Sequence, residues 1–183
     1  AANPELDLAG GWKFSPGDDP GRSATSFDDS SWASIKVGVP WGRAGFPDLH
    51  GFAWYRTRVT IPARWKTNPA VRAHGAVVLA LGPVDDADET FVNGVRVGAT
   101  GSMPPEYRTA WDVPRAYLVP ADLVHWGGEN VVAVRVYDGE NEAGIYPGPV
   151  RLRTPLAGDV FGIEIGPANA NGGLSFSVIK RGL

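Results

Sequence analysis

Val84-Asp85-Asp86-Ala87-Asp88-Glu89-Thr90-Phe91-Val92-Asn93-Gly94-Val95-Arg96-Val97-Gly98-Ala99-Thr100-Gly101 is the stretch whose reading decides the fold. Residues 90–92 and 95–97 are short runs rich in β-branched and aromatic side chains. Between them, Asn93-Gly94 accepts the positive φ values of a type I′ turn, so a tight antiparallel hairpin is predicted. The same grammar recurs on both sides. Residues 54–61 read WYRTRVTI, where Tyr55, Thr57, Val59 and Ile61 alternate with Trp54, Arg56, Arg58 and Thr60 until Pro62 stops the run. Residues 76–81, AVVLAL, are apolar on both faces and suit a central strand. Residues 130–137 (NVVAVRVY), 150–153, 160–165 and 174–179 complete the set.

No long stretch carries apolar residues at helical spacing. Helix is expected only as single turns, at 120–123 and in the 28–32 region. The 24 Gly and 16 Pro cut the chain into short pieces, which fits many strands joined by turns. The expectation is an all-β fold, a two-sheet jelly-roll β-sandwich, as one domain over residues 1–183. The piece from 158 onward is read as a closing strand pair, since it is too short to bury a core alone.

Composition narrows the function classes. The net charge of −3 comes without a basic block, so nucleic acid is not an expected partner. The longest apolar run, residues 76–81, is far too short to span a membrane. The absence of cysteine removes disulfides, thiolate metal sites and a Cys nucleophile. No N-terminal signal pattern is visible, and a mature exported chain would lack one as well. Extracellular bacterial domains often fold without disulfides, so the cysteine count leaves the compartment open, and secreted or periplasmic location is carried only as an expectation.

Several local patterns then follow in a fixed order. Trp12-Lys13-Phe14 and Gly17-Asp18 come first, followed by Phe27-Asp28-Asp29-Ser30-Ser31-Trp32 and Val39-Pro40-Trp41. Gly51-Phe52-Ala53-Trp54-Tyr55-Arg56 opens the long strand. Leu81-Gly82-Pro83 leads into the acidic run and the Asn93-Gly94 turn. Arg115-Ala116-Tyr117-Leu118-Val119-Pro120 and the Gly128 to Asp138 stretch close the series. In this order the patterns resemble the N-terminal sugar-binding-like jelly roll of family 2 glycoside hydrolases, which include β-galactosidases and β-glucuronidases. They equally resemble the related domain of bacterial sialate O-acetylesterases. The resemblance covers roughly residues 8–152. It implies a galactose-binding-like fold that sits beside a catalytic module, and some such domains bind saccharides directly. The catalytic barrel or hydrolase module of those families does not fit into 183 residues alongside this sandwich.

Catalytic signatures find little support. Gly101-Ser102-Met103 lacks the closing glycine of a nucleophile elbow. His50, His74 and His125 are far apart and form no zinc pair. No phosphate-cradling glycine loop occurs. Glycoside hydrolysis needs two carboxylates across the scissile bond, and a pair among the loop acids remains open at this level. Acids in turns also have purely local reasons.

The run Asp85-Asp86-Ala87-Asp88-Glu89 has three readings. It is a solvated turn, it pairs with an Arg such as Arg115, or it holds a structural calcium through Asp85, Asp86 and Asp88. Calcium is the one cofactor the sequence brings into question.

Sugar rings present flat C–H faces to aromatic side chains while their hydroxyls seek polar groups. Trp12, Trp32 and Trp54 belong to patterned strands and read as core, and Trp126 as a cover over it. The candidate ligand contacts are Trp41, Asp86, Tyr107, Arg108, Trp111, Asp138, Glu142 and Tyr146, in the loops 40–54, 100–112 and 138–148. The expected function is a non-catalytic carbohydrate-binding or accessory module, with an oligo- or polysaccharide and a catalytic module of the same or a neighbouring chain as partners. A purely structural domain packed on a catalytic module is the alternative, and a small glycan hydrolase or lyase the third.

Overall fold

The computed structural model describes residues 3–157, 159, 161–166 and 175–180, the last two segments as backbone strands. Thirteen strands are present among them: β1 (Glu5–Asp7), β2 (Trp12–Pro16), β3 (Ala33–Ile35), β4 (Gly51–Thr60), β5 (Ala76–Asp85), β6 (Ala87–Val92), β7 (Val95–Thr100), β8 (Pro114–Pro120), β9 (Glu129–Asp138), β10 (Gly144–Ile145), β11 (Arg151–Arg153), β12 (Phe161–Gly166) and β13 (Ser175–Lys180). One sheet runs β3-β2-β4-β9-β6-β7, and all its pairs are antiparallel. The other is centred on β5, with β8 on one edge and β11 and β10 along the opposite edge, β1 lying outside β11. The result is the jelly-roll β-sandwich the sequence implies.

The Asn93-Gly94 turn forms as expected, with φ of 49° and 81° and Val92 paired to Val95. Asn93 does more than turn the chain. Its Nδ2 donates to Leu123 O and Asn130 Oδ1, and its Oδ1 accepts from Val131 N–H at 2.9 Å. The hairpin is thereby fixed to β9.

The two sheets close on one core. Trp12, Phe14, Tyr55, Leu79, Leu81, Val132, Val134, Val136, Ile145 and Leu152 meet there, all nearly free of solvent. Alternation places Tyr55 inward and Trp54 on the outer face of β4. That outer face is also covered, because Trp54 and Ala133 pack with Trp32, Phe27 and Phe91. Arg56 beside them is fully buried and pairs with Asp29 at 2.7 Å. Trp12, Trp32 and Trp54 are therefore core residues, and Trp126 packs against the main core with Nε1 donating to Ala121 O.

Two expectations about helix are corrected. Neither segment is helical: β8 ends at Pro120 and a turn follows over 121–123, and 28–32 are irregular with a turn at 30–31. The helical turns stand instead at Pro20–Ser23, Ala63–Thr67 and α1 (Pro69–His74). Asn68 caps α1 by accepting from Ala70 and Val71 N–H, Pro69 fills its first position, and Gly75 follows it.

The closing segment forms the β12–β13 antiparallel pair, with β13 beside β7 and β8. Residues 160 and 174 of the two predicted strands lie outside the described residues.

Candidate functional site

Four strand ends meet at one end of the sandwich. Asp85 closes β5 and pairs with Gly144, where β10 begins. Ala87 opens β6 opposite Tyr137, and Asp138 closes β9 opposite Gly51. The chain must bend at each of these points, so side chains there leave the pleat and gather. They line a cleft of ≈ 970 Å³ that holds Asp85, Asp86, Tyr107, Thr109, Trp111, Tyr137, Glu140, Glu142 and Tyr146.

Asp86 ties the cleft together. Its Oδ2 accepts the Gly139 N–H at 2.8 Å, and its Oδ1 accepts the Thr109 hydroxyl. Its backbone N–H reaches Tyr137 O at 3.0 Å, and its carbonyl accepts Ala110 N–H at 2.8 Å. One residue thus joins the end of β9 to the loop 101–113. Burial pushes the Asp86 carboxyl up, but hydrogen bonds from Thr109, Gly139, Asp85 and Tyr107 outweigh it and hold the pKa below the usual range.

Asp85 behaves in the opposite way. Burial, with the neighbouring Asp86 carboxylate, raises it to about 7, although the Tyr146 hydroxyl donates to its Oδ2 at 2.6 Å. With Asp85 raised and Asp86 lowered, Asp85 is the first of the two to take up a proton as pH falls.

The loop 101–113 presents the aromatic wall. Gly101 turns it at φ 73°, and a Cβ there would meet Ala87 Cβ and Arg108 O at 2.8 Å, so only glycine lets the loop approach β6. Ser102 and Arg108 then bridge through both backbone bonds. Tyr107 stands edge-on to Tyr137 with ring centroids 5.3 Å apart, and burial and the Asp86 charge raise its hydroxyl to about 12. Tyr107 is 43% exposed and Trp111 53%.

The structure brings together Asp86, Tyr107, Trp111, Glu142 and Tyr146 of the expected contacts. It places three others elsewhere. Trp41 is 1% exposed, tilts on Phe14 at 5.5 Å and donates its Nε1 to Leu49 O, so it is core. Asp138 is buried outside the lining, bonded to His50 Nδ1 at 2.7 Å, with its pKa raised by burial. Arg108 lines a separate groove of ≈ 670 Å³ between β7 and β8. Glu142 sits at the rim, paired with Arg43.

Within the acidic run, Asp88 parts from Asp85 and Asp86. Asp88, the second residue of β6, points into the sandwich. There Arg115 Nε lies 2.6 Å from its Oδ1, and Thr90 and Tyr117 hydroxyls donate to its Oδ2 at 2.8 Å. Neither Asp88 nor Arg115 has exposed side-chain surface. Burial raises the Asp88 pKa and the guanidinium opposes that rise. Asp88 is therefore the partner of Arg115. Among the described residues no three His, Asp or Glu side chains converge as metal ligands.

Thr109, Tyr137, Gly139, Glu140 and Asn141 line the cleft as well and are not among the expected contacts. Thr109 and Gly139 act through hydrogen bonds to Asp86, which only the bent chain brings into reach. Tyr137 was legible, since alternation sets it opposite the inward Val136.

No family model matches the sequence, and no curated protein matches it. The fold is nevertheless shared with solved structures. A Bacteroides uniformis β-glucuronidase superposes with a TM-score of 0.64 at 22% identity, over 83% of this chain and 18% of that one. A glycosyl hydrolase family 2 member from Bacteroides cellulosilyticus gives 0.66 at 18% identity, over 96% and 29%. A Ruminococcus gnavus β-glucuronidase gives 0.65 at 15% identity, over 98% and 38%. At these identities the likeness establishes the fold. This chain spans well under half the length of each of those chains.

Proposed function

We propose that this chain is a non-catalytic carbohydrate-binding domain of a glycoside hydrolase, with the cleft at the end of β5, β6 and β9 as its binding face. The observation that carries this reading is the pairing of two exposed rings, Tyr107 and Trp111, with the polar groups of Asp86, Glu142 and Tyr146 around one cleft. Exposed rings offer a sugar its flat face, and the carboxylates and phenol accept or donate to its hydroxyls. The solved enzymes that share the fold are several times longer, which fits a domain attached to a catalytic module. Export, to the periplasm or the cell exterior, is part of the same proposal.

Calorimetric titration with a panel of oligosaccharides tests the proposal. Heat is expected for at least one glycan, with a dissociation constant on the order of 10 μM to 1 mM, because an open sugar site buries little area. Trp111→Ala should weaken that binding about five- to tenfold while leaving the melting curve in place. No heat across a broad panel would overturn it in favour of a packing role. That second reading draws on Val95 and Val113, 53% and 44% exposed beside the groove between β7 and β8.

A further inference from the structure

The lining of the cleft is one-sided in charge. Asp85, Asp86, Glu140 and Glu142 contribute carboxyls, and among the described residues no Lys, Arg or His lines it. Arg43 is engaged with Glu142 at the rim, His50 with Asp138, and Arg108 faces the other groove. The acids alone would be an ordinary solvated corner. Here they stand beside two rings that remain 43% and 53% exposed, and a ring face attracts a cation as well as a C–H surface.

These facts sort the glycans. A uronic or sulfated sugar would bring like charge against Asp86 and Glu140, which is unfavourable. A neutral sugar would gain hydrogen bonds only. A sugar bearing an ammonium group would gain charge-assisted bonds and would supply the missing counter-charge.

We propose that the cleft selects glycans containing amino sugars, with the protonated amine lodged at Asp86 and Asp85 and the ring of the sugar against Trp111. This rests on the glycan-binding reading above. It carries a linkage consequence. An ammonium group beside Asp85 favours its ionised form, so the proton that Asp85 holds near neutral pH leaves to the buffer as the sugar binds.

The test compares tetramers that differ in charge: β-1,4-glucosamine, β-1,4-N-acetylglucosamine, cellotetraose and tetragalacturonate, each titrated at pH 6 and low salt. The glucosamine tetramer is expected to bind about tenfold more tightly than cellotetraose, the low end for a charge-assisted bond in a partly solvated site. Tetragalacturonate should bind weakest. The preference should shrink as salt rises, and in Glu140→Gln and Asp85→Asn, two separate variants that retain side-chain shape. Titration of the glucosamine tetramer in two buffers of different ionisation enthalpy should show proton release that Asp85→Asn abolishes.

Equal affinity for the glucosamine tetramer and cellotetraose, or preference for tetragalacturonate, would overturn the amine assignment and leave the glycan-binding reading standing. A tetralysine peptide bound as tightly as the glucosamine tetramer would also overturn it, as plain charge attraction. Silence toward every glycan of the broader panel would instead remove the reading beneath it.

Discussion

Asp88 and Asp85 stand three residues apart in one acidic run, and their surroundings differ in kind. Asp88 lies inside β6, where the pleat turns it between the sheets, and Arg115 from β8 meets it at 2.6 Å with two hydroxyls completing its shell. Asp85 ends β5 at the mouth of the sandwich, where its neighbours are Asp86, Asp138 and the Tyr146 phenol. A charge between the sheets has no water and persists only with a partner delivered by another strand. A carboxyl at the strand ends needs no such partner, because it can shed its charge by holding a proton. One run of sequence thus supplies both a structural ion pair and the floor of the candidate site.

Arg115→Met breaks the first half of this contrast most severely. It leaves Asp88 buried without its cation and orphans the carbonyls of Val84 and Ala110, which Arg115 also bonds. A loss of about 3–5 kcal/mol is expected, read from the urea midpoint. A loss below about 1 kcal/mol would mean that the pair does not anchor the sandwich.

Asp86→Ala acts on the other half. The Gly139 N–H and Thr109 hydroxyl lose their acceptor, at a cost of about 1–3 kcal/mol. Amide exchange at Gly139 should accelerate, and glycan binding should disappear.

Asp85→Asn is subtler and shows in pH dependence. The Asp85 pKa is about 7 in the fold against 3.8 unperturbed. Between these values the folded chain keeps a proton that the unfolded chain has lost, so Asp85 makes stability fall as pH rises. The variant should lack that component, and subtracting its stability curve from the parent curve should reveal a slope confined to this window. A flat difference curve would show that Asp85 is ordinarily ionised. Trp111→Ala has the smallest effect on folding, within about 0.5 kcal/mol by thermal melting, since its ring is 53% exposed.

Parts of the fold were legible because their signals are local. The Asn93-Gly94 turn needs only two residues that tolerate positive φ. The alternation through Tyr55, Thr57 and Val59 needs only a strand with two different faces. α1 escaped the sequence: Asn68, Pro69 and Gly75 are cap signals, but its six residues are too few to show periodicity. β8 was hidden because one of its inward residues is Arg115, whose burial makes sense only once Asp88 is opposite. β10 has two residues and depends on β5 for its partner.

The site divides in the same way. Trp41 and Trp111 both lie in Pro- or Gly-bearing connections, and nothing in their neighbours separates them. Trp41 folds back onto Phe14 while Trp111 is left at the cleft, an outcome set by long-range contacts.

By itself, then, the sequence determined the class of fold and the hairpin at Asn93-Gly94, since turn preference and strand alternation act over a few residues. Only the tertiary structure decided which carboxylate receives a cation, which keeps a proton and which ring stays open to solvent. Those outcomes depend on what another strand, distant in sequence, brings within a few ångströms, and burial and electrostatics are properties of that assembled neighbourhood.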